Sequence, residues 1–253
     1  MIQPAHIQGL LSQIATSGNK ELNANLPLFL RILSKQGADK YLVQLGRLVI
    51  ETTSHKELTV GANYWASVKQ GREGLLISDL IKQPKILSQL ETSKLRLYSK
   101  EFQEILQEAQ KGGRQIENLF KDFLLERLPL ASSKQEFLEL SNLLMALQNG
   151  VLSMVIQDEG GKEGLVQIKK RVDFLEFYSL FPNLGEISGL VSLSQDGSLA
   201  LRLQVMSERI RDILVRNLDD LSGFESIEIE IGQSSPLWDL SAFNTSYVLD
   251  VRG

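Results

Sequence analysis

Ile187-Ser188-Gly189-Leu190-Val191-Ser192-Leu193-Ser194, followed by Gln195-Asp196-Gly197-Ser198 and Leu199-Ala200-Leu201-Arg202-Leu203-Gln204-Val205, is the stretch that sets the fold class. An Asp-Gly pair between two apolar-rich runs predicts a hairpin, because the favoured tight turns need positive φ at their centre. In the second arm Leu199, Leu201, Leu203 and Val205 alternate with other residues, so one face is buried and one is wet. Downstream, Ile210, Ile213, Leu214, Leu218 and Leu221 share one side of a helix starting near Ser207, with Gly223 as its stop. Ser226-Ile227-Glu228-Ile229-Glu230-Ile231 alternates strictly and predicts a returning strand. Hairpin, helix and strand together predict a small ββαβ sandwich.

Working back towards the N-terminus, Phe174 to Leu180 reads as a further strand. Val151 to Gln157 and Gly164 to Lys170 read as a hairpin around Glu159-Gly160-Gly161-Lys162. Before them the period is helical. Phe102, Ile105, Leu106 and Ala109 form one stripe; Ile116, Leu119, Phe120, Phe123 and Leu124 form another. A third stripe, Phe137 to Leu147, follows Ser133, whose spacing to Glu136 is that of a capping box. Between Tyr41 and Ile81, short β-branched and aromatic runs divided by Gly46, Gly61, Gly71 and Gly74 predict a small barrel or compact sheet. Ile7, Leu10, Leu11 and Ile14, then Leu28, Phe29, Ile32 and Leu33 behind Pro27, predict two short helices ended by Gly37. The expected class is therefore α+β in four parts: N-terminal helices over 1–36, a small β-barrel-like unit over 37–92, a helical connector over 93–150 and an α+β domain over 151–253.

Composition narrows the function classes. The formal net charge is −4, so no global basic field draws in nucleic acid. The chain has no cysteine, which excludes disulfides, thiolate nucleophiles and cysteine metal sites and fits a reducing compartment. Met1 to His6 lacks the basic and apolar regions of a signal peptide, and no apolar run approaches the roughly 20 residues that span a bilayer. The expectation is a cytoplasmic protein without membrane insertion.

Residues with reactive chemistry do not gather. The two histidines, His6 and His55, stand far apart, and neither has Asp, Glu or His at metal-ligand spacing. Glu228 and Glu230 share a strand face opposite isoleucines, which reads as a solvated face rather than an acid–base pair. Asp158-Glu159 beside Gly160-Gly161 lacks the alternating oxygen ligands of a calcium loop. Gly112-Gly113-Arg114 and Gly71-Arg72-Glu73-Gly74 match no phosphate-binding pattern, and Gly185-Glu186-Ile187-Ser188-Gly189 sets its serine one place too late for a nucleophile elbow. We expect no catalytic residue, no metal and no cofactor. Tyr64 and Trp65, near Lys69 and Arg72, are the alternative: stacking platforms of a small-barrel nucleic-acid binder, set against a reading as core. Lys162, Lys169, Lys170 and Arg171 form a second basic cluster.

Leu180-Phe181-Pro182-Asn183-Leu184-Gly185-Glu186-Ile187, the Asp196-Gly197 hairpin, the alternating strand to Val205 and the helix carrying Arg209, Arg211, Leu214, Leu218 and Leu221 resemble the C-terminal domain of flagellar hook-length control proteins. That family carries a Pro-x-x-Leu-Gly-x-Val-x-Val signature leading into a hairpin, a helix and a strand. Here one residue fewer separates Pro182 from Leu184, and Gly189 stands where a β-branched residue is usual. The resemblance covers the C-terminal third. It implies a non-enzymatic switch of type III export specificity that contacts the cytoplasmic domain of the flagellar export gate, and it leaves export through the flagellar apparatus open. The family's N-terminal region is long and polar, whereas this chain reads as ordered there. Phe181, Pro182, Leu184 and Gly185 are the candidate protein-binding residues: apolar groups beside a glycine, where a partner backbone could approach. A generic intracellular adaptor is the other protein-binding reading.

Overall fold

The computed structural model describes residues 28–71, 74–194 and 196–239. They belong to two compact units divided between Pro84 and Lys85.

The first unit is one antiparallel sheet of β1 (Leu28–Lys35), β2 (Lys40–Leu45), β3 (Leu48–Thr53), β4 (Asn63–Gly71) and β5 (Gly74–Lys82), in the order β3-β2-β1-β4-β5. Two expectations are corrected here. The segment read as a second N-terminal helix is β1, the central strand; the first predicted helix lies outside the described residues. Leu28, Leu30 and Ile32 alternate, with Leu30 and Ile32 buried, and pairing to β2 and β4 satisfies the backbone on both sides. The apolar pairs that mimicked a helical period include Phe29, which is exposed. The expected barrel is an open sheet: β3 and β5 stand at opposite edges and do not pair with each other.

One face of this sheet buries Leu30, Ile32, Tyr41, Val43, Leu45, Tyr64 and Ala66 together with Leu58 from the 54–62 loop. Two tyrosines hold that loop down. The Tyr41 hydroxyl accepts from Leu58 N at 3.3 Å and the Tyr64 hydroxyl from Thr59 N at 2.9 Å. A buried hydroxyl keeps its partner in this way while its ring fills the core.

The second unit is built on a seven-stranded sheet in the order β12-β11-β10-β9-β8-β7-β6. In chain order come α1 (Ile86–Thr92), the two-residue β6 (Leu97–Tyr98), α2 (Ser99–Gly112), α3 (Ile116–Arg127) and α4 (Lys134–Gln148). The strands β7 (Val151–Gln157), β8 (Glu163–Lys170), β9 (Phe174–Phe181), β10 (Gly185–Leu193) and β11 (Leu199–Val205) follow as an antiparallel meander. Last are α5 (Glu208–Arg216) and β12 (Ser226–Ile231), which lies parallel to β11. Parallel neighbours need a crossover, and α5 supplies it.

The four-part layout is corrected in two further respects. The expected helical connector packs on the sheet: Phe120 and Leu124 of α3 and Leu140 and Leu143 of α4 share a core with Leu152, Met154, Val166 and Ile168. The expected ββαβ domain is not separate either, because β10 continues through β9 into the same sheet. Register explains how one sheet serves both. Leu152, Met154, Val166, Ile168, Phe177, Ile187, Leu201, Leu203, Ile227 and Ile229 all fall on one face by the strand pairings. α3 and α4 cover one end of that face, and α5 covers the other through Ile210, which is fully buried.

Local chemistry fixes the helix starts. Ser133 Oγ accepts from Glu136 N at 3.2 Å, while Glu136 reaches back to Ser132 N at 2.8 Å and Ser132 Oγ at 2.7 Å. The reciprocal cap expected at Ser133 is thus shared with the residue before it. Those bonds hold the Glu136 carboxyl below its ordinary pKa. α5 begins the same way, with Ser207 Oγ accepting from Ile210 N. Glu139 ties α4 to the loop between α1 and β6 by accepting from the Ser93 hydroxyl and from Lys94 N.

Candidate protein-interaction surface

The turn between β9 and β10 carries Phe181, Pro182, Leu184 and Gly185, and the structure assigns them different environments. Gly185 is buried, with φ +81°. A Cβ there would overlap the Met206 methyl and lie 2.6 Å from its sulfur. Positive φ favours glycine, and a side chain here would in addition make the flexible end of Met206 shift. Leu184 and Phe181 pack against the core formed by Ile187, Leu201, Leu203, Val205 and Ile210. Phe181 also lies across Gly164, where a Cβ would come within 2.6 Å of its ring. Pro182 is half-buried, and Asn183 is the exposed residue of the turn.

Gly189 has a comparable reason. Any Cβ at this position would sit 2.5 Å from the Arg202 carbonyl oxygen on β11 and 2.7 Å from Phe177 Cζ on β9, so both neighbouring strands close over the glycine. A β-branched residue would displace the ring and push the β11 backbone away.

The opposite face of the sheet carries polar groups that sequence reasoning passed over. Gln167 is fully buried beside Ser153. Its Oε1 accepts from Leu237 N at 2.8 Å and Trp238 N at 3.1 Å; its Nε2 donates to Trp238 O at 2.9 Å and to Ser153 Oγ at 3.3 Å. One side-chain amide therefore stands in for a strand neighbour and clamps the segment after β12 across the sheet. Trp238 Nε1 donates to Asn142 Oδ1 on α4 at 2.7 Å, and Ser188 and Ser234 bond at 2.9 Å. A polar residue amid the apolar run Leu165-Val166-Gln167-Ile168 was the signal available in the sequence.

On the same face Tyr178, fully buried, donates to Glu186 Oε1 at 2.8 Å. Burial lifts the Glu186 carboxyl above its ordinary 4.5, the tyrosine bond opposing this, and burial beside Glu186 raises the phenol too. The sign follows from proton counting. The folded state holds its proton on Glu186 to higher pH than the unfolded chain does. Glu186 thus contributes stability that is lost as pH rises from about 4.5 through its folded value. Glu186→Gln is expected to flatten that slope, with the tyrosine bond kept, in thermal melts from acid to neutral pH. An unchanged slope would contradict the assignment.

The remaining candidates stand apart. Tyr64 and Trp65 are buried in the first unit, not presented as stacking platforms. His55 is exposed, while His6 and Arg72 lie outside the described residues. Arg171 pairs with Glu176 at 2.8 Å, and Lys162 and Lys170 are exposed. Asp158 Oδ1 accepts from Lys162 N at 2.7 Å within the β7–β8 turn. Glu228 pairs with Arg202 at 3.0 Å, both exposed, on the polar face of β12.

These observations define a two-unit α+β protein whose best-built features are a glycine-dependent turn and a clamped C-terminal segment. Comparisons with protein-family models, curated proteins and solved structures find no match. Among the described residues no helix is long and apolar enough to cross a membrane.

Proposed function

We propose that this chain is a non-enzymatic protein-interaction module of the hook-length-control type, acting in the cytoplasm on the cytosolic domain of a flagellar export gate. One observation carries the reading: the Leu184-Gly185 pair of the signature-like turn sits where glycine is favoured, at positive φ beneath Met206. That turn leads into β10, β11, α5 and β12, the order of elements the resemblance implies. The packing of Leu184 and Phe181 leaves Asn183 as the part of the turn a partner would meet first.

The test is binding of the purified full chain to a recombinant export-gate cytosolic domain. Saturable binding is expected, weakened by Asn183→Arg at unchanged melting temperature. Absence of binding at about 50 µM, an affinity weaker than roughly 6 kcal/mol, would overturn the assignment.

A further inference from the structure

We infer that the edge of β12, unpaired among the described residues, is a docking site for an extended, basic segment of a partner protein. β12 ends the seven-stranded sheet, and its register with β11 runs unbroken from Ala200↔Ser226 to Val205↔Ile231. In a strand, peptide groups alternate between the two edges, so those not directed at β11 point outward. Such an edge is a template for another strand unless it is guarded.

The other edges differ from it, each in its own way. β5 carries Asp79 at φ +52°, and its pairing with β4 shifts register between Trp65 and Ser67. β3, like β12, lacks proline, lysine, arginine and a register shift, but its one acidic side chain, Glu51, is already paired with Lys40 at 3.4 Å, so it offers no row of open carboxylates. At the far end of the seven-stranded sheet, β7 is partly covered by β6. β12 has no proline, no lysine, no arginine and no register shift.

Charge selects the occupant. Glu225, Glu228 and Glu230 are exposed along this strand and its entrance. Arg202 pairs with Glu228, and Glu230 stands opposite Gln204 with no ion pair among the described residues. A second copy is disfavoured, since antiparallel pairing of two β12 edges would set glutamates against glutamates on one face. A strand with Lys or Arg at alternate positions meets the carboxylates instead. Its intervening apolar residues would extend the row of Ile229 and Ile231, the latter 47% exposed.

This inference stands apart from the reading of the Phe181–Gly185 turn. Its test uses the full chain with a fluorescent Lys-Val-Lys-Val-Lys-Val peptide and a Glu-for-Lys counterpart, read by anisotropy and by amide exchange. The basic peptide is expected to bind and to slow exchange at 226–231, whereas the acidic one does neither. Glu230→Lys should weaken the basic peptide about tenfold at unchanged melting temperature. Asn183→Arg should bind it as the unaltered chain does, which separates failure here from failure of the gate assignment. Three results would overturn the site: no binding; binding with exchange at 226–231 unchanged, meaning diffuse attraction; or a dimer protecting 226–231 without peptide.

Discussion

Gly185→Ala is expected to destabilise the second unit by about 3 kcal/mol, a fall of roughly 10 °C in melting temperature for a chain of this size. Two effects add. A residue with a Cβ at φ +81° loses about 1–2 kcal/mol against glycine. The new methyl also meets the flexible end of the Met206 side chain, which must shift, so the overpacking cost falls at the lower end of about 1–3 kcal/mol. The two can be separated. Met206→Ala removes the second effect and leaves the first, so a double-mutant cycle should show coupling of about 1–2 kcal/mol between the positions. Coupling near zero would mean that Met206 moves aside freely, and an unchanged melting temperature for Gly185→Ala would remove the structural reason for glycine. The same variant tests what the turn is for. Were Gly185 there to admit a partner backbone, binding would fall while stability held.

Gln167→Ala should have an effect of similar size by a different route. It deprives Leu237 N, Trp238 N, Trp238 O and Ser153 Oγ of one partner each. Unsatisfied buried groups cost about 1–3 kcal/mol each, but the segment is half-exposed and water can replace some of those bonds, so a net loss of about 3 kcal/mol is expected. The specific readout is release of the segment. Trp238 emission should shift to the red and exchange at 237–238 should quicken, while Trp65, 1% exposed in the first unit, reports no change. Gln167→Glu is the sharper comparison. It keeps an acceptor for the two backbone N–H groups but replaces the donor to Trp238 O with a carboxylate oxygen, so it should also release the segment. Retention of Trp238 in both variants would show that packing, not the amide, holds it.

These two residues differ in how far the sequence exposed them. Gly185 was visible because it follows Leu184 before an alternating run, although its contact with Met206, brought over it by the β10–β11 pairing, was not. Gln167 looked like one polar residue in a strand; its backbone partners are about seventy positions away. The error at Leu28–Lys35 has the same origin. Apolar residues at 28, 29, 32 and 33 suit a helix when the segment is read alone, and only pairing with β2 and β4 makes the extended form better.

By itself the sequence determined what short-range physics can specify: the Asp196-Gly197 hairpin, the alternation that gives β11 and β12 one buried face, the capped helices α4 and α5, and a formal net charge of −4. Tertiary structure alone decided that the helices over 99–148 share a sheet with the C-terminal strands, that the first sheet stays open, and which polar side chains clamp the segment after β12. The physical reason is range. Turn dihedrals, periodicity and capping act over a few residues, whereas strand order and the partner of a buried amide depend on segments that meet only once the chain has folded.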